Sequence, residues 1–298
     1  MVKSSGSTGH IVLFGGSGQL GTEIRRRWLG ATIVAPSHAE LDLEDSRALD
    51  AILDEHRPDA VVNCAAFHNV DLCEDEPAKA FAANAIAVDA IAGECARRKI
   101  RFVTISTDYV FDGKAVVPYT EDDAPHPISA YGTSKLAGEL LVQRRDMDAL
   151  VVRTCGVYGI LPSATKGYTF VDRVIAQARA GERVRIVNDV IASPTYAGHL
   201  AVALEKLVTS GSPGLYHVAN RGPVSWYDFA CVALESAGVD HPIEPVPQST
   251  WATKARRPAF SALACERIEK LGMPMPDWRA GIAAYLADKA AAAADPVG

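Results

Sequence analysis

His10-Ile11-Val12-Leu13-Phe14 runs without a break into Gly15-Gly16-Ser17-Gly18-Gln19-Leu20-Gly21, and a helical pattern then carries the chain from Gln19 to Trp28. A short, wholly apolar run that stops at glycine reads as a strand covered on both faces. Ala31-Thr32-Ile33-Val34-Ala35, Ala60-Val61-Val62-Asn63-Cys64-Ala65, Arg101-Phe102-Val103-Thr104-Ile105-Ser106 and Leu150-Val151-Val152-Arg153 repeat the pattern, with helical stretches such as Ala78 to Arg98 between them. Continuous apolar strands alternating with helices predict an α/β fold with a doubly wound parallel sheet, whose ligands sit at the C-terminal strand ends.

The glycine spacing sharpens that expectation. Gly15 permits a tight turn, Gly18 lets backbone N–H groups approach a pyrophosphate, and Gly21 allows close helix–strand packing at a helix N-terminus of partial positive charge. Strand, glycine turn and helix within the first thirty residues predict a Rossmann-like dinucleotide site. The second strand ends Ala35-Pro36-Ser37-His38 with no carboxylate to repel a 2′-phosphate, so NADPH is expected and NADH is also admitted. Ser37 and His38 are candidate phosphate contacts, His38 reading equally as a solvated loop residue; Asp42-Leu43 just beyond would flank the adenine.

Past about Gly156 the rhythm changes. Loops become richer in Pro and Gly, and aromatic residues spread from Tyr158 to Phe260. The expected organisation is a nucleotide-binding domain of residues 1–156 with a return segment at about 190–218. A smaller α+β C-terminal substrate-binding portion then comprises about 157–189 and 219–298. Ala290 to Ala294 reads as the end of a helix before a short tail.

Composition narrows the classes of partner. The 298 residues are 48% hydrophobic and 22% charged, enough to build a full core and to exclude disorder of the whole chain. Thirty basic against 36 acidic residues leave a net charge of -6, which gives no electrostatic footprint for nucleic acid or an anionic membrane. No apolar stretch reaches the ~18 residues of a membrane span, and the polar start Met1-Val2-Lys3-Ser4-Ser5-Gly6 is unlike a signal sequence. Six cysteines without a CxxC pair read as reduced core residues, so a cytoplasmic protein is expected. The eight histidines form no HxH or HxxxH spacing, and no metal is expected. Glu74-Asp75-Glu76 reads as the solvated first turn of a helix, and a homodimer is the base-rate expectation for assembly.

Two segments at later strand ends carry the chemistry. Ser106-Thr107-Asp108-Tyr109-Val110-Phe111-Asp112-Gly113 takes a strand into a polar loop, and Tyr131-Gly132-Thr133-Ser134-Lys135 opens a helix continuing Leu136-Ala137-Gly138-Glu139. Tyr131 and Lys135, four apart, share a helix face. A cation one turn from a phenol favours phenolate, so Lys135 is expected to lower the Tyr131 pKa from its ordinary value of about 10. Such a tyrosine gives a proton to a developing alkoxide, and Thr107 would orient the carbonyl oxygen. The spacing alone also describes an ordinary exposed helix; it is the glycine turn, the strand-end Thr107 and the Tyr–Lys pair in one sheet that predict carbonyl reduction.

Together these features resemble the extended short-chain dehydrogenase/reductases. Within them the chain resembles the dTDP-4-dehydrorhamnose reductases through Asn63-Cys64-Ala65-Ala66-Phe67, Val70-Asp71, Glu74-Asp75-Glu76-Pro77 and Ser106 to Gly113. Further strings are Val152-Arg153-Thr154, Ser193-Pro194-Thr195-Tyr196-Ala197 and Arg257-Pro258 with Ser261 and Leu263. The resemblance implies a nucleotide-sugar substrate, with reduction of the C4 ketone of dTDP-4-dehydro-L-rhamnose. It implies Thr107, Tyr131 and Lys135 as catalytic residues. Gly15, Ser17, Gly18, Gln19, Leu20, Asp42, Leu43, Ala65, Ala66, Phe67, Tyr131 and Lys135 would then hold the cofactor. Val70, Asp108 and Tyr109 would lie at the sugar, and Arg257 at the diphosphate, where a guanidinium binds bidentately; as a pair of residues Arg256-Arg257 also reads as solvated surface.

The chain departs from that family where a Trp usually follows Arg-Thr-Ser: here it reads Arg153-Thr154-Cys155-Gly156, which removes a sugar-facing indole. Asn188-Asp189-Val190-Ile191-Ala192 lacks the usual Gln and Gly before Ser-Pro-Thr. These departures keep three rivals in view: a reductase of another nucleotide-linked 4-ketosugar, an epimerase on the same fold, and a non-catalytic NADP-binding regulatory subunit.

Overall fold

The computed structural model describes residues 9–37, 46–161 and 167–294. Asp42 and Leu43, expected at the adenine, and His38 lie outside the described residues. The chain starts with β1 (Gly9–Phe14), α1 (Gln19–Arg27), β2 (Ala31–Val34), α2 (Ser46–His56) and β3 (Ala60–Asn63). It goes on through α3 (Val70–Asp75), α4 (Pro77–Phe81), α5 (Ala87–Arg98), β4 (Arg101–Thr107), α6 (Ala130–Gln143) and β5 (Ala149–Thr154). The later part comprises β6 (Val157–Tyr158), α7 (Phe170–Arg179), β7 (Val184–Val187), β8 (Ile191–Ala192), β9 (Thr195–Tyr196) and α8 (Ala197–Ser210). It ends with β10 (Gly214–His217), β11 (Val224–Ser225), α9 (Trp226–Ser236), β12 (Ile243–Val246), α10 (Glu266–Lys270) and α11 (Trp278–Ala294).

Six strands form one sheet in the order β2-β1-β3-β4-β5-β10, every neighbouring pair parallel. The alternation of side chains along β1 builds three layers. Ile11 and Leu13 pack with Leu20, Ile24 and Trp28 of α1 and with Leu200, Leu204 and Leu207 of α8. Val12 and Phe14 turn the other way, onto Leu49 and Leu53 of α2 and Val88, Ile91 and Cys95 of α5. Burial on both faces is why the sequence of β1 is apolar throughout instead of alternating. The indole of Trp28 donates to the Ala201 carbonyl at 2.9 Å and ties α1 to α8. The strand order reverses at β1, and the crevice such a reversal leaves opens above the C-terminal ends of β1 and β3.

The chain returns to the sheet late: α8 packs on α1, and β10 adds beside β5 with Gly214 opposite Leu150. A separate apolar cluster joins Tyr158, Val171, Val174, Tyr196, Phe229, Leu234, Ile282 and Tyr285, supplied by α7, α9, α11 and the short strands. Small pairings, parallel for β7–β12 and β6–β9 and antiparallel for β8–β11, brace it.

Two local readings change. The single helix expected from Ala78 to Arg98 is α4, a π-helical turn over Ala82–Ile86, and α5. The extra residue in that turn presents the buried Asn84 amide to its neighbours: it accepts from Phe67 N at 2.9 Å and donates to the Phe67 carbonyl at 2.9 Å and the Ser134 hydroxyl at 3.0 Å. Such turns break a helix's regular ladder where a side chain is needed elsewhere. Glu74-Asp75-Glu76, read as a helix's first turn, instead ends α3 and supplies Glu76 as the residue capping α4. The Glu74 carboxylate accepts from the Ala130 backbone at the start of α6, at 2.8 Å.

Candidate active site

At the end of β1 the backbone turns through Gly15 at φ +74°, where a Cβ would meet the Ala65 nitrogen at 2.7 Å. Only glycine suits that conformation and that approach. Gly18 N donates to the Gly15 carbonyl at 3.0 Å, and a Cβ on Gly21 would fall 2.2 Å from that same oxygen. The turn is thus sealed by backbone packing. Its helix, α1, has no side-chain cap and no acidic residue in its first turn. Unsatisfied N–H groups at a helix start favour an anion, so the turn fits a pyrophosphate.

A cleft of about 330 Å³ opens from this turn. Gly15, Gly18, Gln19 and Leu20 form one wall, Ala66, His68 and Val70 a second, and Thr107, Asp108, Tyr109, Tyr131 and Lys135 the floor and far side. Ser17 is exposed at the rim of the turn. Ala65 and Phe67 flank the cleft without lining it, and both are pinned through their N–H groups, Ala65 by Asn63 at 3.1 Å and Phe67 by Asn84.

Thr107 ends β4, and Ser129 caps α6 by accepting from Gly132 N at 3.1 Å, which sets the helix so that Tyr131 and Lys135 face the strand end. The Tyr131 and Tyr109 rings meet edge to face, 5.8 Å between centroids. Burial pushes the Tyr131 phenol above its ordinary value, the Thr107 hydroxyl bonds it and pulls it down, and Asp108 pushes it up. The expectation that Lys135 would lower this phenol is therefore corrected: removing phenolate from water is the largest influence, and the group that opposes it is the Thr107 hydroxyl and not Lys135. Lys135 is itself buried and pushed down to about 8, with the Glu139 charge opposing that shift.

Asp108 lines the cleft yet turns its oxygens inward, accepting from Thr107 Oγ1 at 3.1 Å and Cys155 Sγ at 3.1 Å. Burial raises its carboxyl above the ordinary range. Arg257 stands outside the cleft wall and is paired with Asp71, at 2.7 and 3.2 Å. Burial pulls its guanidinium down, and Asp71 and Tyr109 together more than offset that, leaving it above its ordinary value.

Sequence reasoning did not single out Thr154, nor the neighbour that Gly156 meets. Thr154, opposite Thr107 in register, lines the cleft with a buried hydroxyl that has no hydrogen-bond partner among the described residues. Gly156, in the cleft wall at φ +52°, has the Trp226 indole against it: a Cβ there would lie 3.1 Å from Cη2. The first residue of α9 thus brings an indole against Gly156 from a distant segment, behind the residues that line the cleft. Nothing local to Gly156 signals that.

Comparison with known proteins bears on this arrangement. The family model for the RmlD substrate binding domain matches residues 9–291. The chain belongs to that family. The Bacillus subtilis (strain 168) spore coat polysaccharide biosynthesis protein SpsK is 38% identical over 284 residues, covering 95% of this chain and 98% of SpsK. The dTDP-4-dehydrorhamnose reductase of Burkholderia thailandensis is 36% identical over 298 aligned positions, 93% of this chain and 98% of that protein. A crystal structure of dTDP-4-dehydrorhamnose reductase from Bacillus anthracis, in complex with NADP, superposes with a TM-score of 0.89 at 31% identity, covering 94% and 99% of the two chains. Among the described residues of this RmlD-family chain, no three His, Cys, Asp or Glu side chains are grouped to hold a metal, and no helix is long and apolar enough to cross a membrane.

Proposed function

We infer that this chain is an NAD(P)H-dependent oxidoreductase that reduces the C4 ketone of dTDP-4-dehydro-L-rhamnose to dTDP-L-rhamnose. One observation carries the reading: Thr107, Tyr131 and Lys135 meet in the cleft whose opposite wall is the glycine turn. Family membership and the NADP-bound relative support it. Gly15, Ser17, Gly18, Gln19 and Leu20, with Ala65, Ala66 and Phe67, hold the cofactor, and Asp42 and Leu43 belong to the same set.

The nicotinamide, when bound, supplies a hydride. Tyr131 gives its phenolic proton to the alkoxide oxygen forming at C4, so ketone, hydride and proton balance as alcohol. Because burial raises the Tyr131 pKa, the phenol is proton-loaded at neutral pH, the form reduction requires. The Thr107 hydroxyl hydrogen-bonds to the same oxygen, and the Lys135 charge offsets the phenolate left behind. Val70, Asp108 and Tyr109 border the sugar. Arg257 shares its charge between Asp71 and the diphosphate, and the portion at 157–189 and 219–298 closes over the nucleotide sugar. The expected setting is cytoplasmic, the expected assembly a homodimer.

The Gly156–Trp226 contact favours a second reading, in which the same residues reduce another nucleotide-linked 4-ketosugar. The test follows NADPH and NADH oxidation with dTDP-4-dehydro-L-rhamnose, then with a ketosugar panel, for wild type and Tyr131→Phe. Turnover that collapses in the folded variant supports the reaction. Turnover only with another ketosugar moves the assignment there, and NADPH binding without any turnover points to a regulatory subunit.

A further inference from the structure

Directly under the cleft floor lies a buried charge set that the reaction above leaves unused. Glu139 follows Lys135 by four residues on α6, as Lys135 follows Tyr131, so the three share one stripe of the helix. Glu139 is 2% exposed. Its Oε1 accepts from the Ser106 hydroxyl and from Arg153 Nε at 2.9 Å, and its Oε2 from Arg153 Nη2 at 2.7 Å. Ser106 and Arg153 are register partners on β4 and β5. Each immediately precedes a cleft threonine, Thr107 or Thr154, and those two are register partners in turn. On its far side Arg153 faces the Phe111 ring at 5.2 Å and His217 Nε2 at 3.4 Å. Burial and the Arg153 charge push His217 down to about 3, so it stays neutral.

A buried ion pair seldom repays its desolvation as a source of stability. Its value here is its place, joining the two strand ends to the helix that carries both titrating groups. We propose that Glu139 is a positioning residue of the reaction: clamped by Ser106 and Arg153 one helical turn beyond Lys135, its carboxylate places a fixed negative charge on the stripe that carries Tyr131 and Lys135 and ties down the strand end that carries Thr107. The proposal rests on the reductase reading.

The groups facing Lys135 are Tyr131 and Glu139 on its own helix and Cys64 beyond β3. Those facing Glu139 are Lys135, Ser106 and Arg153, with His217 behind the arginine. Asp108 faces Tyr131 from the end of β4. Of these, Glu139 is the strongest influence holding the lysine charged against burial. Without its charge the ammonium is lost at a lower pH, and the phenolate formed in turnover loses its counter-ion.

The experiment compares wild type, Glu139→Gln and Glu139→Asp in kcat and KM across pH. In Glu139→Gln the alkaline limb of kcat is expected to move down by about one pH unit, with kcat near neutrality down about tenfold and the KM for NADPH within twofold. Glu139→Asp restores much of the limb. A Glu139→Gln enzyme that melts earlier but keeps the wild-type limb and kcat overturns the proposal and leaves a structural ion pair. Should that variant not fold, Ser106→Ala removes one clamp and keeps the charge pair; an unchanged kcat there also overturns it. The pH dependence of Lys135 labelling by an amine-directed reagent, read by peptide mapping, separates the two levels of inference. A downward shift in Glu139→Gln upholds the coupling even where wild type reduces no ketosugar, and an unmoved titration refutes the coupling even where it does.

Discussion

The two ends of the cleft are built by different means. At the glycine turn the wall is backbone: Gly15 lies against Ala65, Gly21 against the Gly15 carbonyl, and the residues concerned are close in sequence or on adjacent strands. At the far end the wall is side chains such as Asp108 and Tyr109, supported from distant segments: Cys155 bonds Asp108, Trp226 lies against Gly156, and outside the wall Arg257 pairs with Asp71. A backbone site tolerates almost no added atom but presents the same N–H array whatever the surface side chains are. A side-chain site takes contributions from distant parts of the chain, as Trp226 against Gly156 shows. This is why the glycine end can be read from a short motif and the far end cannot.

The largest test of that contrast falls between the two ends. Tyr131→Phe is expected to lower kcat by about 10²–10⁴-fold while thermal stability and NADPH binding stay near wild type; a parallel loss of NADPH affinity would move Tyr131 from chemistry to cofactor positioning. Acid should reach the buried floor next. His217 is pushed down to about 3 in the fold, against about 6.5 unfolded. A depressed histidine favours the fold above the unfolded value, so stability declines as pH falls below about 6.5, by up to about 1.4 kcal/mol per unit. Denaturant midpoints measured from neutral pH downward should flatten in His217→Gln, provided that variant folds.

Gly21→Ala tests the backbone end. Its Cβ would sit 2.2 Å from the Gly15 oxygen, so helix and turn must separate, at about 1–3 kcal/mol. Melting temperature and NADPH affinity should fall together, and a fall in only one would show the turn and the pyrophosphate site to be separable. The smallest effect belongs to the sugar end. Asp71→Asn releases Arg257 from a partly exposed, screened pair, worth at most about 1 kcal/mol. The KM for the nucleotide sugar should drop up to about fivefold with kcat and NADPH affinity unchanged; an increase would make Asp71 a necessary support for Arg257.

Much of this was legible without coordinates because it is local. A run such as Ile11 to Phe14 with no polar interruption can only be a strand covered on both faces, and glycine at 15, 18 and 21 describes a backbone path. Tyr131 and Lys135 share a helix face through spacing alone, and the strand ending at Thr107 places its hydroxyl near them. The same reasoning placed a helix from Ala78 to Arg98 but not the π-helical turn within it, because that turn brings Asn84 to Phe67 and Ser134, contacts that spacing does not contain.

The amino-acid sequence by itself thus determined the parallel α/β layers, the glycine turn and the Tyr–Lys pair, since each depends on neighbouring dihedral angles and side-chain period. Only the tertiary structure decided the sign of the Tyr131 shift, which burial sets and Lys135 does not. It also decided the Glu139–Arg153–Ser106 clamp, the pairing of Arg257 with Asp71 and the indole behind Gly156. Desolvation and ion pairing sum over every atom packed around a group, and those atoms come from segments far apart in the chain.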